Sequence, residues 1–586
     1  MRMSCDVQLS SSPSLKVDLL VLCCVTMASQ SLVFLFVLSL PFCFSYFVSW
    51  ILYHWANRPN PNGVSEIPPS LPAAIPVLGH TIPFLFDSVS FVRRATSYAG
   101  RLTCVRISLP LAGIYLFQEP EAVAALWKHP LLSSPIYIYT VGLRYLFGMK
   151  EDQIETYTAD DSGPYRKPHP NSNVLPHNRV DYLTHDSLLR GLSGAGLTPT
   201  FQRCQGIITS QISSLSIEDE WIQMPDLLQF FRDHVGRAVL QSLFGPLLIS
   251  VNPTFMECLW EFDAATPYLA KRLPRWLVPS AYRVRESLLD QIQNWYRHAR
   301  VHFHGSLIAE DGDGDPCWGS RMMRERQEFL LAVDRQDDAS LASTDLGLIW
   351  TSITNVVPTA MMAVFHIFQD PTLLYRVRES IQDHDVVSFE PELAVSMDKL
   401  LQNDLLQAVY AETLRLYVQA YVTRCSAHEP ASVGRWWLGQ NDVVMVSSYV
   451  NHMHEQLWNT KDGAYPVNTF WADRFLLHPA DPRSGPRRTW RDQVDPYHHV
   501  NGVGSQPSFS MKGLEGVWIP YGGGTSACPG RNFAKRLILF TCAFFVSQFD
   551  VDIQVSSLDM DSSTFGLGTQ KPKHKVPFAI RRRTNP

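Results

Sequence analysis

Residues 519–534 read Ile-Pro-Tyr-Gly-Gly-Gly-Thr-Ser-Ala-Cys-Pro-Gly-Arg-Asn-Phe-Ala and form the most informative segment of the sequence. Its three consecutive glycines, Gly522 to Gly524, permit backbone conformations and close approaches that side chains forbid. Cys528 stands just before Pro529 and Gly530, at the start of an apolar helical pattern. Backbone N–H groups at a helix start favour negative charge, so we expect this cysteine to be held as a thiolate. The alternative is a tight glycine turn around a buried structural cysteine.

A pair of opposite charges lies upstream of this stretch. Glu412 and Arg415 are three residues apart in Ala411-Glu-Thr-Leu-Arg-Leu416, hence on one helix face where a carboxylate and a guanidinium can pair. An isolated pair of this kind is common on solvated helices. The Glu412–Arg415 pair becomes informative through its position in the chain relative to other segments. A second arginine, Arg474, follows it in Pro466-Val-Asn-Thr-Phe-Trp-Ala-Asp-Arg-Phe475.

In this order, the segments resemble those of the cytochrome P-450 superfamily of haem-thiolate enzymes, whose cysteine loop runs Phe-x-x-Gly-x-Arg-x-Cys-x-Gly. Tyr521, Gly524, Cys528 and Gly530 fill its Phe, Gly, Cys and Gly positions, whereas Ser526 stands where Arg or His is usual. The resemblance implies haem b as the cofactor and Cys528 as the axial ligand of its iron. It also implies that the other three matched residues help to bind the haem.

The resemblance assigns the upstream charges to structural work. Glu412, Arg415 and Arg474 are expected to form a buried triad that holds the haem-side scaffold. Arg424, nine residues beyond Arg415, stands where family members often place a basic residue against a haem propionate. A generic surface arginine is the alternative. Ser526 removes one expected cationic partner of a propionate and leaves the iron ligand untouched.

The run from Leu346 to Gln369 has no Asp, Glu, Lys or Arg and is long enough to span a membrane. A cluster of polar residues and a proline in its first half instead favours a buried helix with one polar turn facing a cavity. Most oxygen-activating family members carry an acid–alcohol pair in this helix. Here Val357 and Pro358 occupy those two places.

An apolar residue followed by proline, with an asparagine shortly before, is similar to the subgroup of sterol 7α- and 12α-hydroxylases and prostacyclin synthase. The resemblance implies that Asn355 is the catalytic polar group facing the cavity, with Thr354 and Thr359 as helpers. Ordered water would then carry protons. The subgroup includes oxygen-consuming hydroxylases and an isomerase that needs no external electrons.

We therefore expect a haem-thiolate monooxygenase that inserts one atom of O2 into a lipophilic sterol-, terpenoid- or polyketide-like molecule, in fungal secondary metabolism. Electrons would come from an NADPH-dependent cytochrome reductase docking beside Arg531, Lys535 and Arg536, which otherwise form a solvated helix face. A haem-thiolate isomerase or dehydratase and a non-catalytic haem-binding protein remain open. Persistence of product without NADPH and reductase would favour the isomerase.

The N-terminal region predicts a membrane anchor. Residues 31–53 are almost wholly apolar, and as a helix they would cover about 33 Å, close to the roughly 30 Å of a bilayer core. Trp50 and Tyr53 suit the interface, and Arg58 follows as the first positive charge, which predicts a single-pass protein of the endoplasmic reticulum with its catalytic domain in the cytosol. A cleaved signal peptide is the alternative, and Met27 is a second possible start.

Composition limits the remaining classes. The 586 residues are 46% hydrophobic and 18% charged, which excludes a disordered chain, and a net charge of -5 argues against nucleic acid as a partner. The 11 cysteines form no C-x-x-C pair and are expected to be reduced.

Hydrophobic periodicity predicts a mainly α fold with small β-sheets, of the α+β class. We divide the chain into a lead segment at 1–30, the anchor at 31–53, a proline-rich connector at 54–81 and a catalytic domain at 82–586. Helices are predicted at 224–243, 281–303, 398–416 and 532–549, strands at 102–107, 113–117, 443–447 and 576–581, and irregular surface insertions at 151–179 and 481–506.

Overall fold

The computed structural model of the chain describes residues 13–56, 66–75, 78–98, 102–109, 112–383, 387–388, 394–488 and 506–584. Its helices, numbered in chain order, are α1 Pro13–Ala56, α2 Thr81–Phe86, α3 Ser88–Thr96, α4 Pro120–Lys128, α5 Ile136–Val141, α6 Glu151–Thr158, α7 Val180–Leu192, α8 Leu197–Ser213, α9 Leu227–Phe231, α10 Arg237–Phe244, α11 Leu247–Ser250, α12 Phe255–Ala270, α13 Pro279–His302, α14 Arg321–Leu331, α15 Asp338–Thr354, α16 Val356–Gln369, α17 Pro371–Asp383, α18 Met397–Gln402, α19 Asp404–Tyr417, α20 Ser448–His452 and α21 Arg531–Gln548.

The strands are short and are divided among several small sheets. They are β1 Val105–Leu109, β2 Ala112–Leu116, β3 Ile222–Met224, β4 Val387–Ser388, β5 Ala394–Val395, β6 Val418–Cys425, β7 Ala431–Val433, β8 Trp436–Leu438, β9 Val443–Ser447, β10 Leu476–Leu477, β11 Ser508–Phe509, β12 Phe549–Ile553, β13 Leu567–Thr569 and β14 Phe578–Arg582. The prediction of a mainly α fold with small β-sheets is confirmed.

The largest sheet has the order β1-β2-β9-β6-β13. Strand β2 runs parallel to β9, and the other pairs are antiparallel. Strand β6 lies between β9 and β13, with Tyr421 opposite Ser447 and Ala420 opposite Leu567. This register brings the chain that follows α19 beside a hairpin near the C-terminus. A second sheet, β12-β14-β3, ties the end of the chain to the segment before α9.

Helices α15 and α16 form one long rod through the interior that is broken at Asn355. A capping box starts the rod, since the Asp337 carboxylate accepts from the Ser340 N–H and the Asp337 N–H donates to the Ser340 hydroxyl. Helix α16 packs against α21, α19 and α17. Within Asp338–Gln369, 78% of the most apolar stretch is buried, so the prediction of an interior helix is confirmed.

The N-terminal helix α1 differs from this rod because its apolar side chains are exposed. The most apolar 18-residue window of Val33–Trp55 has a mean hydropathy of 2.0 and contains no buried residue, while Pro41 lies inside the helix. Tyr53 at its end packs edge-on against Tyr98, with ring centroids 4.7 Å apart. The helix begins at Pro13, well before the predicted start of the anchor. Residues 1–12 of the predicted lead segment lie outside the described residues.

Part of the predicted proline-rich connector lies along the edge of the sheet. The Leu71 N–H donates to the Arg106 carbonyl at 2.9 Å, and the Arg106 N–H donates to the Pro69 carbonyl at 2.9 Å. The connector segments 57–65 and 76–77 lie outside the described residues.

Three sequence predictions need correction. The helix predicted at 224–243 begins only at Leu227, because Ile222–Met224 pair as strand β3. It is also interrupted by a π-helical turn, Arg232–Gly236. The helix predicted at 398–416 is two helices, separated where the Asn403 side chain caps α19 by accepting from the Leu406 N–H.

The third correction concerns the surface insertion predicted at 151–179. Its first residues form α6, and Ile154 and Tyr157, three positions apart on one helix face, are both buried. Most of the other predicted insertion lies outside the described residues, which omit 489–505.

Candidate active site

One cavity brings the predicted site residues together. It measures about 390 Å³ and lies between the long rod, strand β6, the β13 hairpin and the cysteine loop. Most of its walls are apolar. The side chains that matter for the chemistry below are Asn355, Thr359, Tyr421, Arg424, Tyr521, Cys528 and Thr569.

The cysteine loop is held by backbone hydrogen bonds. The Cys528 N–H donates to the Tyr521 carbonyl at 3.0 Å, and the Ala527 N–H donates to the Gly524 carbonyl at 3.2 Å. Gly524 adopts a φ of 68°, and a Cβ there would lie 2.3 Å from the Trp127 carbonyl oxygen. Glycine is therefore required at this position by both conformation and space.

Cys528 lies immediately before α21 and has free surface toward the cavity, although it is deep within the protein. Burial raises the pKa of the thiol, and the N–H groups of Gly530 and Arg531 and the charge of Arg531 lower it only in part. With no metal bound, the helix start therefore does not by itself bring the pKa of the Cys528 thiol below its usual value. A bound metal ion would favour the deprotonated sulfur, because cysteine binds metal as the thiolate.

Two tyrosines form a buried pair near the cysteine. The Tyr410 hydroxyl on α19 donates to the Tyr521 hydroxyl at 3.0 Å. Burial raises the pKa of both hydroxyls, and the nearby Cys528 charge adds to the effect. Tyr521 therefore fills the family's phenylalanine position with an additional polar atom that is satisfied by Tyr410.

The polar turn of the rod is divided between cavity and core. Asn355 and Thr359 line the cavity, and the Thr359 hydroxyl donates to the Asn355 carbonyl at 2.7 Å. Thr354 is buried outside the cavity lining, and its hydroxyl donates to the Trp350 carbonyl at 2.8 Å. Thr354 is thus not placed to act as the predicted helper, because its side chain does not line the cavity.

Arg424 is a buried cation at the edge of the cavity, not a surface arginine. Its guanidinium donates to the carbonyls of Thr423 at 2.8 Å and Ser526 at 3.1 Å. Burial lowers its pKa to about 10, opposed by the charge of Asp181. Ser526 donates to the Ser133 carbonyl at 2.5 Å and so fastens the cysteine loop to the segment before α5.

The predicted triad is formed. Arg415 Nε lies 2.7 Å from Glu412 Oε2, and Arg474 Nε lies 3.1 Å from Glu412 Oε1, with all three side chains inaccessible to solvent. Burial raises the pKa of Glu412, but the two guanidinium groups outweigh it and hold that pKa below its usual value. The carboxylate is therefore ionised and has a structural, not a proton-transferring, environment.

His452 connects this triad to the cysteine loop. Its carbonyl accepts from Arg415 Nη1 at 2.8 Å, and its ring Nε2 accepts from the Ile519 N–H at 3.0 Å. Because a backbone N–H can only donate, Nε2 carries no proton. Burial, assisted by the Arg415 charge, lowers the pKa of His452 to about 3.

The family described as Cytochrome P450 matches residues 218–578 of this chain. Cytochrome P450 monooxygenase efuG of Hormonema carpetanum is 33% identical over 549 residues, which cover 92% of this chain and 93% of that protein. The chain belongs to the cytochrome P450 family. Cytochrome P450 monooxygenase fsoE of Humicola fuscoatra is also 33% identical, over 557 residues and 92% of each chain.

More distant comparisons agree with this assignment. Cholesterol 7-alpha-monooxygenase of Cricetulus griseus is 24% identical over 338 residues, 55% of this chain and 58% of that protein. The crystal structure of a cytochrome P450DA heme domain superposes with a TM-score of 0.57 at 14% identity, covering 89% of this chain and 98% of that one, and so shares the fold. This cytochrome P450 is a haem-thiolate monooxygenase, with fungal relatives that fit a place in secondary metabolism.

The residues present fit haem, the cofactor of this family. The described residues contain no cluster of three or more His, Cys, Asp or Glu side chains that could hold a bare metal ion. A metal facing Cys528 must bring its other ligands with it, as porphyrin iron does. Gly530 has an ordinary φ of -77°, and a Cβ at this position would lie 3.9 Å from Cys528 Sγ. The described residues alone would therefore tolerate a larger side chain at position 530. Its glycine leaves room beside the sulfur for a flat group.

Lys535 does not belong to the predicted basic patch on this cytochrome P450. Its ammonium donates to Gln407 Oε1 at 2.7 Å, and burial lowers its pKa. Arg531 donates to the Cys528 carbonyl at 3.0 Å and also steadies the loop. The patch is therefore smaller than the sequence indicates.

Sequence reasoning missed residues whose roles depend on distant contacts. Tyr410 and His452 belong to no sequence motif, and the charge of Asp181 on α7 acts on Arg424 on β6. Thr569 contacts Asn355 across 214 positions of the chain.

Replacing Glu412 with glutamine should lower the free energy of unfolding by about 3–5 kcal/mol, because two buried guanidinium groups lose their counter-charge. The exposed Glu151, paired with Arg144, is the matched control, and Glu151→Gln should cost about 0–1 kcal/mol. Urea unfolding followed by circular dichroism measures both. Equal midpoints for the two variants would contradict the structural importance of the triad.

His452 should make the protein acid-sensitive. Below pH 6.5 the unfolded chain binds a proton at this residue that the folded protein, with a pKa of about 3, does not. The contribution of His452 to the free energy of unfolding is complete above pH 6.5. Below pH 6.5 it decreases by about 1.4 kcal/mol per pH unit. His452→Gln should flatten the dependence of unfolding free energy on pH between 6.5 and 4.5, whereas exposed His304→Gln should not. An unchanged slope in His452→Gln would refute this assignment.

Proposed function

We propose that Cys528 supplies the sulfur ligand of the haem iron, with Tyr521, Gly524 and Gly530 shaping the loop beneath the macrocycle. Arg424 would hold a propionate at the edge of the cavity. The observation that carries the proposal is that Cys528 and Arg424 line the same cavity as the polar turn of the rod. When bound, haem supplies the iron at which O2 is activated and one oxygen atom is transferred to substrate.

Arg424 is suited to an anionic group because it is already desolvated. Its present partners are backbone carbonyls, which are weaker acceptors for a guanidinium than a carboxylate. A propionate would therefore gain a charge-assisted hydrogen bond without a new burial cost for the arginine. Without a bound anion, the hydrogen bonds of Arg424 join β6 to the cysteine loop.

The proton path proposed here uses hydroxyls and water instead of an acid. Val357 and Pro358 have hydrocarbon side chains without a carboxyl or hydroxyl group, so the two positions of the usual acid–alcohol pair cannot transfer protons. The Thr359 and Thr569 hydroxyls lie 3.2 Å apart beside Asn355 and can pass a proton between ordered waters. Asn355 orients the relay and does not itself titrate.

A lipophilic substrate, of sterol-, terpenoid- or polyketide-like chemistry, fits the cavity best. Its walls are mainly apolar, with side chains such as Leu243, Leu348, Val356 and Leu567, and few polar groups to hold a hydrophilic ligand. The names of the fungal relatives specify monooxygenases, and one relative acts on cholesterol by its name. These names support the class and leave the individual compound open.

We further propose that α1 anchors the protein in the endoplasmic reticulum membrane by a single span, with the catalytic domain in the cytosol. The exposed apolar segment Val33–Trp55 supports the anchor. An NADPH-dependent cytochrome reductase would deliver electrons on the cysteine side, where Arg531 and Arg536 follow the loop.

Carbon monoxide difference spectra of the reduced protein test the iron ligand. The wild type should show the thiolate-type Soret band, and Cys528→Ser should lose it because oxygen replaces the sulfur donor. Cys542→Ser is the control, since that buried cysteine lies on α21, the helix that follows Cys528, and outside the cavity lining. A thiolate-type band that persists in Cys528→Ser would sink the assignment.

Electron supply distinguishes oxygenation from isomerisation. With membranes containing an NADPH-dependent reductase, product should form from a lipophilic substrate only when NADPH and O2 are both present, and one labelled oxygen atom from 18O2 should enter the product. Product formed at an undiminished rate without NADPH, and without the label, would instead identify a rearrangement.

A further inference from the structure

The rod is interrupted where its most important polar side chain projects. Helix α15 ends at Thr354 and α16 begins at Val356, so Asn355 lies in the break with φ of -99° and ψ of -49°. Pro358 has no N–H to donate to the Thr354 carbonyl, which explains the interruption. The Thr359 hydroxyl and N–H both donate to the Asn355 carbonyl, at 2.7 Å and 3.3 Å, and close the far side of the break.

The orientation of the Asn355 amide is decided by a contact with β13. The Thr569 N–H lies 2.9 Å from Asn355 Oδ1. A backbone N–H can only donate, so the amide oxygen must face it and the amide nitrogen must point away. Among the described residues Nδ2 has no hydrogen-bond partner, and Asn355 lines the cavity.

Gly568 makes room for this arrangement. A Cβ at Gly568 would lie 2.0 Å from Asn355 Oδ1 and 2.9 Å from its Cγ, which no real pair of atoms tolerates. The glycine also adopts a φ of 147°, which disfavours other residues. Pairing of Gly568 with Gln419 on β6 fixes the hairpin, so it cannot easily retreat.

A second bond ties the same two elements together. The Thr569 hydroxyl lies 3.2 Å from the Thr359 hydroxyl, one turn along the rod from Asn355. The backbone N–H and the side chain of Thr569 thus contact two residues of the rod. The hydroxyl fixes the relative position of the elements, whereas the N–H selects which end of the amide faces the cavity.

We propose that Gly568 and Thr569 are positioning residues that hold Asn355 Nδ2 as a fixed hydrogen-bond donor toward a small ligand on the haem iron. The inference rests on the proposed function, in which Cys528 binds that iron in this cavity. Because an amide neither gains nor loses a proton near neutral pH, the donor should act unchanged across the working pH range. An acid in the usual family position would not have that property.

Carbon monoxide bound to the reduced, haem-loaded protein is the probe. A hydrogen-bond donor near its oxygen lowers the C–O stretching frequency, which infrared spectroscopy measures without turnover. Asn355→Leu removes the donor, and Asn355→Asp keeps an oxygen for the Thr569 N–H but offers no N–H. Both variants should raise the stretching frequency above that of the wild type, whose value should not change between pH 6 and 8.

Gly568→Ala should move the frequency in the same direction, because the new methyl group displaces the amide. Thr569→Val keeps the backbone N–H that orients the amide and loses the hydroxyl bond to Thr359, so it should shift the frequency less than Gly568→Ala does. Gly206→Ala is the matched glycine control, since no atom lies within 4 Å of a Cβ at Gly206. An unchanged frequency in Asn355→Leu, or equal shifts in Gly568→Ala and Gly206→Ala, would overturn the proposal.

A double-mutant cycle covers the case in which Gly568→Ala destabilises the fold. The same substitution made in an Asn355→Ala background should lower the thermal unfolding midpoint less than it does in the wild type, because the amide it strikes is gone. Equal losses in both backgrounds would contradict the proposed contact. Failure of the proposed function is separable, since it would appear as a missing thiolate-type Soret band in the wild type itself.

Discussion

The haem side of this cytochrome P450 is organised around one buried carboxylate. Glu412 has no access to water and is neutralised by Arg415 and Arg474 at hydrogen-bond distance. Two guanidinium groups beside one carboxylate leave an excess positive charge, which hydrogen bonds to backbone carbonyls stabilise. Arg474 donates to the Thr469 carbonyl, and Arg415 donates to the His452 carbonyl. Such a cluster is stable only when every member is present, because removing one leaves an unpaired charge in the interior.

The triad is linked to the site through His452, whose ring accepts from the start of the cysteine loop at Ile519. From there the loop is fastened at Tyr521 to α19, at Ser526 to the segment before α5, and through Arg424 to β6. Each fastening is a hydrogen bond that is at least partly buried. Together these bonds fix the loop that carries the cavity-facing sulfur of Cys528. Among the described residues, that sulfur has no side-chain partner of its own.

The sequence predicted those parts of the site that depend on local spacing. Cys528, the glycines before it and the Glu412–Arg415 pair are read from neighbours a few positions apart, and the apolar rod is read from its composition. Helix ends were less predictable, because Asn403 and the π-helical turn at 232–236 divide patterns that look continuous. The helix-end N–H groups that favour a thiolate at Cys528 are visible in a sequence, but the burial that raises the pKa of its thiol is not.

The distal half of the cavity could not be predicted, since it joins residues that are far apart in the chain. Asn355 was identified as the polar group, but its orientation depends on Thr569 and on the missing side chain of Gly568. Thr354, adjacent to Asn355 in sequence, turns back to Trp350, whereas Thr359 reaches the hairpin. Position in a motif therefore indicated which residues matter, and the sheet register decided which of them face the cavity.

The central claim is that a single sulfur from this loop binds the iron of a haem in the cavity. X-ray absorption at the iron edge of the purified ferric protein measures that directly. We predict one sulfur neighbour beside the porphyrin nitrogens in the wild type, and its replacement by a lighter atom when Cys528 is changed to serine. An iron surrounded only by nitrogen and oxygen in the wild type would contradict the account.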